Sequence, residues 1–135
     1  MSRDANAEFG PQFFMAQDRL KGGPDEALCA QNYTAQIGTN PIMPLAGHQQ
    51  FARVFYAGFP DIRHTFDDIV ADDDRVAVRF TLRGTHQGDF MGLPATGRTV
   101  TIPAVAVIRV SDGRAVELRA VFDEMGLMRQ LGVVK

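Results

Sequence analysis

The chain has 135 residues, 45% of them hydrophobic, which is enough for an ordinary packed core, so residues 1–135 are expected to form one domain. Fourteen Lys and Arg against sixteen Asp and Glu leave a net charge of -2, with no positive excess for a phosphate backbone or an anionic lipid surface; nucleic acid and membranes are therefore not expected partners. Cys29 is the single cysteine, which excludes an internal disulfide and a multi-thiolate metal site, and together with a polar N-terminus and no apolar run of about 18 residues it points to the cytoplasm.

Across residues 9–20, Phe9, Phe13, Ala16 and Leu20 recur at helical spacing, and Gly22, Gly23 and Pro24 end the pattern, which predicts a first helix. Pro24 suits the first position of a second helix, and Asp25 and Glu26 suit its first turn, so residues 24–33 read as helical. Residues 37–46, with Gly38, Asn40, Pro41 and Pro44, read as a loop. A third helix follows in which Phe51, Val54, Phe55 and Phe59 form the apolar stripe, and Pro60 closes it.

After Pro60 the period changes to two. Val76, Val78, Phe80 and Leu82 alternate with Arg75, Arg79, Thr81 and Arg83, the pattern of a half-buried strand. Residues 62–71 read as the strand before it, joined by the turn Asp72-Asp73-Asp74. Residues 99–110 and 114–123 are rich in Val and Ile and flank Ser111-Asp112-Gly113, a short-loop hairpin signal. Residues 125–131 predict a closing helix. Helices followed by four antiparallel strands give an α+β fold with the helices on one face of a bent sheet. Pro103, which cannot donate to a ladder, is read as the bend, and a bent sheet has a concave face suited to a small molecule.

The fragments Phe59-Pro60-Asp61, Asp74-Arg75-Val76, Gly84-Thr85-His86-Gln87-Gly88, Pro94-Ala95-Thr96-Gly97-Arg98, Asp112-Gly113-Arg114 and Asp123 through Gly126-Leu127-Met128 to Gln130-Leu131-Gly132 occur in one order over more than half of the chain. Together they resemble the SnoaL-like polyketide and ester cyclases. The resemblance implies the cone-shaped nuclear-transport-factor-2-like fold and a pocket for a small hydrophobic carbonyl or ester compound. It also implies an aspartate acting as acid and base in an intramolecular aldol closure, with no metal or organic cofactor. The matching aspartate is Asp123. The chain has Leu118-Arg119 where the family often has histidine then tryptophan, and Gln36 where it often has histidine.

Strict alternation on the last strand puts Glu117, Arg119, Val121 and Asp123 on one face and Val116, Leu118, Ala120 and Phe122 on the other. Either the apolar face packs on the helices and Asp123 points outward, or that face forms a homodimer while Arg119 and Asp123 line the cone. The family likeness selects the second arrangement, in which Arg119 reaches Asp123. Its charge would keep the carboxylate ionised but make it a poorer base. The competing reading of the pair is a structural ion bridge.

His86 is either a turn-stabilising residue or a ligand contact. Tyr33 and Gln36, at the end of the expected second helix, are candidate polar pocket groups, and Phe55 and Phe90 are candidate apolar ones, with core packing as the alternative. His48, His64 and His86 lack metal-ligand spacing, and no phosphate loop is present. Three functions compete: cyclisation or isomerisation by proton transfer, epoxide hydrolysis or hydroxylation in the same cone, and ligand binding without catalysis.

Overall fold

The first helix begins where Ser2 can cap it: its hydroxyl accepts the Ala5 N–H at 3.0 Å, and α1 then runs Arg3–Leu20. The computed structural model describes residues 2–134. Phe9, Gly10, Phe13, Phe14 and Gln17 form the buried face of α1, which packs on strands β3 (Arg63–Ala71) and β4 (Arg75–Thr85), while Leu20 is exposed. A Cβ on Gly10 would lie 2.8 Å from a methyl of Val78, so glycine there lets the helix backbone sit directly on the sheet.

Residues 24–33 do not form a helix. Asp25 caps one 3₁₀ turn, Glu26–Leu28, and the chain then extends as β1, Cys29–Ile37. Tyr33, Ala35 and Ile37 are buried at every second position, and this period-two pattern outweighs the start signal given by Pro24 and two acidic residues. β1 pairs parallel to β6 (Arg114–Phe122) and antiparallel to the two-residue β2, Met43–Pro44. The sheet therefore has six strands, in the order β2-β1-β6-β5-β4-β3, where four were expected.

The helix α2, Leu45–Gly58, buries His48, Ala52 and Tyr56 and half-buries Phe51 and Phe55, whereas Val54 faces solvent. The hairpins lie where the sequence puts them. Asp72 Oδ1 accepts the N–H groups of Asp74 and Arg75 at 2.8 Å each, closing the β3–β4 turn. Asp112 and Gly113, both at positive φ, close the turn between β5 (Thr99–Ser111) and β6.

Pro103 pairs with Thr81 on β4 and its carbonyl accepts the Asp123 N–H at 3.1 Å. N–H and C=O of one strand residue point the same way, so the donor that Pro103 lacks faces Asp123 just past the last register pair, Ala104 with Phe122, and the Asp123 carbonyl instead accepts the Leu127 N–H at 3.1 Å as the next helix begins.

The faces of β6 depart from strict alternation. Arg109 pairs with Glu117 and Val110 with Ala115, which leaves Val116 as a bulge. Ala115 and Leu118 are consequently both buried. Leu118, Ala120 and Phe122 pack inward, so the apolar face is covered by the chain's own helices rather than turned outward to a partner, and Arg119 does not line the concave side.

Asp123 ends the strand and caps α3, Glu124–Leu131, by accepting the Gly126 N–H at 2.8 Å; Gly132, at φ 83°, terminates that helix. Leu127 and Leu131 pack with Phe59, Phe90, Val100 and Ile102 to close one end of the sheet.

Replacing Gly10 by leucine is expected to overpack the α1–sheet contact and lower the unfolding free energy by about 1–3 kcal/mol, read from the midpoint of urea unfolding.

Candidate active site

A cavity of about 670 Å³, counting its open mouth, lies between α1, α2 and the concave face of the sheet. Phe14, Phe51, Phe55, Phe80, Leu82, Leu118, Ala120 and Phe122 make most of its wall, and among the described residues no lysine, arginine, aspartate or glutamate lines it. Four residues bring polar atoms to this wall: Gln17 from α1, His48 and Tyr56 from α2, and His64 from β3.

His64 is held by a carboxylate. Its Nδ1 lies 2.8 Å from Asp18 Oδ1, and its backbone N–H donates to Asp18 Oδ2 at 2.8 Å. The Tyr56 hydroxyl donates to the same Oδ1 at 2.5 Å. Asp18 sits near the C-terminal end of α1, where the helix dipole disfavours an anion, and these three donors offset that cost. Burial acts to raise the Asp18 carboxyl, but the hydrogen bonds and charge of His64, with the Tyr56 bond, outweigh it and hold the group below its ordinary value. The Tyr56 hydroxyl is pushed upward, by burial first and then by its bond to the anion.

An ionised carboxylate only accepts, so the His64 Nδ1 must carry the proton in that contact. In the neutral ring Nε2 is then a lone pair, and it has no partner among the described residues. Phe14 and Phe80 lie against the ring with centroids 5.0 and 5.1 Å away. A basic nitrogen oriented by a half-buried carboxylate within an aromatic wall can abstract a proton from a bound molecule.

His48 stands under different control. Its Nδ1 lies 2.8 Å from the hydroxyl of Tyr33, whose ring is nearly parallel to it, 8° between planes with centroids 6.0 Å apart. Burial pushes the imidazole down to about 4, so it stays neutral near pH 7.

The residues singled out in the sequence are spread across the structure. Asp123 is exposed and lies outside the cavity lining, beside Phe122, which does line it. Arg119 does not bridge to Asp123: it lies 3.5 Å from Glu117 and donates to the Leu118 carbonyl at 3.0 Å. His86 is buried in the loop after β4, where the N–H of Thr96 donates to its Nδ1 at 3.2 Å and its ring stacks on Phe59. Tyr33 lies behind His48, and Gln36 donates to the Asn40 carbonyl at 3.1 Å, away from the lining. Phe55 lines the cavity, and Phe90 packs behind it with ring centroids 5.0 Å apart.

Asp18, His48, Tyr56 and His64 were not among the sequence candidates, although a signal for them exists. Asp18 falls four residues after Phe14 on the buried face of α1, His48 four before Ala52 on that of α2, and His64 two before Phe66 on β3. Polar residues in an apolar register need partners, which is itself a pointer to a site.

A sequence profile of SnoaL-like polyketide cyclases matches residues 24–131. The chain belongs to this family. Among solved structures it is similar to AclR, a hydroxylase candidate from Streptomyces galilaeus, at a TM-score of 0.90 and 27% identity over 99% of this chain and 100% of that one. It is also similar to IdmH, a polyketide cyclase candidate from Streptomyces antibioticus, at a TM-score of 0.75 and 30% identity over 96% and 97% of the two chains. The aklanonic acid methyl ester cyclase DnrD of Streptomyces peucetius is 39% identical over 57 residues, which span 42% of this chain and 39% of DnrD. The α+β cone expected from the resemblance is the fold of this SnoaL-like chain. Among the described residues no helix is long and apolar enough to cross a membrane, and no cluster of three metal-ligating side chains occurs.

The buried imidazole of His48 links stability to pH. Its folded value, about 4, lies below the ordinary 6.5, so the unfolded chain binds the proton more tightly. Stability is complete above pH 6.5 and falls as the pH drops toward 4, by on the order of 3 kcal/mol at 1.36 kcal/mol per unit. Urea midpoints at closely spaced pH values should show this slope in the wild type and lose it in His48→Gln. The Asp18 contribution is instead lost as the pH falls from about 3.8 through its lower folded value, a window below that of His48, which separates the two.

Proposed function

We propose that this SnoaL-like protein is a cofactor-independent enzyme that moves a proton on a small, uncharged, hydrophobic carbonyl or ester compound, in the manner of a cyclase or isomerase. The observation that carries this reading is the Asp18–His64 pair on the wall of an otherwise apolar cavity. In the proposed step His64 Nε2 takes a proton from the carbon next to the carbonyl. Asp18 stabilises the imidazolium that forms, and the proton returns to carbon or oxygen as the ring closes or the double bond shifts. The lack of charged groups on the wall suits a neutral substrate, and the cyclase likeness of DnrD and IdmH supports this reaction class.

Asp123 is the rival base. It is favoured by the family pattern, and its exposure and its bond to Gly126 weigh against it. Exchange of the α-protons of 1-tetralone in deuterated buffer, followed by proton NMR, separates the two. We expect wild-type protein to accelerate exchange, His64→Gln to lose about 10²- to 10⁴-fold, and Asp123→Asn to keep most of it. The opposite ranking would return the chemistry to Asp123.

The likeness to AclR over the whole chain favours a second reading, hydroxylation of the same class of compound. Oxygen-18 incorporation into product distinguishes hydroxylation from proton transfer.

The SnoaL-like chain is also proposed to form a homodimer in the cytoplasm through the outer face of the sheet. The apolar residues on that face include Val70, Val105, Val107 and Val121, which are 70%, 40%, 38% and 58% exposed, rather than the inward Leu118, Ala120 and Phe122. Sedimentation should give twice the chain mass, and Val105→Arg should halve it.

A further inference from the structure

A buried hydroxyl needs an acceptor for its proton, and Tyr33 is 1% exposed. The sole partner of its hydroxyl among the described residues is His48 Nδ1, at 2.8 Å. Were the imidazole to donate from Nδ1, the tyrosine proton would be buried without a partner, at a cost that disfavours this tautomer by about tenfold or more. Tyr33 therefore donates and Nδ1 accepts, which fixes the proton of the neutral His48 ring on Nε2.

The two histidines on the cavity wall thus have opposite roles. Asp18 leaves His64 with an accepting Nε2, and Tyr33 leaves His48 with a donating one. Neither Nε2 has a protein partner among the described residues, and neither is sealed off as His86 Nε2 is. The amide nitrogen of Gln17, by contrast, is sealed in the protein like His86 Nε2, so the two imidazoles are the ring nitrogens left open on this wall.

We propose that His48 is the donor that receives the carbonyl oxygen of the bound compound, with Tyr33 as the positioning residue that sets its tautomer. This rests on the proton-transfer reading and narrows its substrate. The compound has an apolar body seated among Phe51, Phe55 and Phe80 and one acceptor oxygen directed at α2, and a carboxylate or phosphate is not its recognised group. An uncharged donor stabilises a developing enolate oxygen without needing to shed a proton at neutral pH.

The test uses a matched pair of probes, 2-acetylnaphthalene and 2-ethylnaphthalene, which differ by one carbonyl oxygen. Wild-type protein should bind the ketone about fivefold more tightly by calorimetry, and its carbonyl stretch should move to lower frequency on binding. His48→Phe should bring the affinity ratio to about one and abolish the shift while the hydrocarbon still binds. Tyr33→Phe, which frees the tautomer, should reduce both effects. His64→Gln should keep the ratio although it loses proton exchange.

Equal binding of the two probes by the wild type, or an unshifted carbonyl, overturns the assignment and leaves the His64 reading standing. A full preference retained in His48→Phe overturns it too. If neither probe binds, the apolar-carbonyl reading fails and takes this one with it. If circular dichroism shows the His48 variant to be unfolded, Tyr33→Phe decides the matter: an infrared shift and an affinity ratio unchanged from wild type overturn the assignment.

Discussion

The carboxylate of Asp18 joins three elements, α1 with α2 and β3 some forty residues further along the chain. It accepts from Tyr56 on α2 and from both the ring and the backbone of His64 on β3, and it does so from the last turns of α1. β3 is the sheet's edge, and its His64 N–H would otherwise lack a ladder partner on that side. One anion therefore sets the spacing of two helices against the sheet and fixes the orientation of the ring that borders the cavity. The apolar wall reinforces this, because exclusion of water strengthens each of the three bonds.

The fold was legible because the sequence records its joints. Each fragment that carried the family resemblance does a local structural task. Asp61 accepts the Thr85 N–H at 2.7 Å and its hydroxyl at 2.8 Å, binding the end of α2 to β4. A Cβ at Gly88 would lie 2.2 Å from the Ala57 carbonyl oxygen, and one at Gly126 would lie 2.1 Å from the Asp123 carboxylate. Such requirements are set by neighbours in the chain or by one backbone contact, so they appear as short patterns. The misread segment, residues 24–33, had a correct start signal for a single turn and then a period of two that was too short to weigh against it.

The candidate site was far less legible. Asp18 and His64 are 46 residues apart, and Tyr33 and His48 are 15 apart on different elements, so no spacing rule connects either pair. Their polarity comes from tertiary partners. A histidine with Asp18 on one nitrogen and a histidine with Tyr33 on one nitrogen are the same letter in the sequence. In the folded chain one accepts where the other donates.

Asp123 illustrates how a residue can belong to two histories at once. The start of α3 uses an acceptor at that position, and the absence of a Cβ on Gly126 makes room for its carboxylate. An acceptor that starts a helix serves the fold whatever reaction the neighbouring cavity performs. In this architecture the acid beside the cavity is accounted for by how the last helix starts, independently of the chemistry inside.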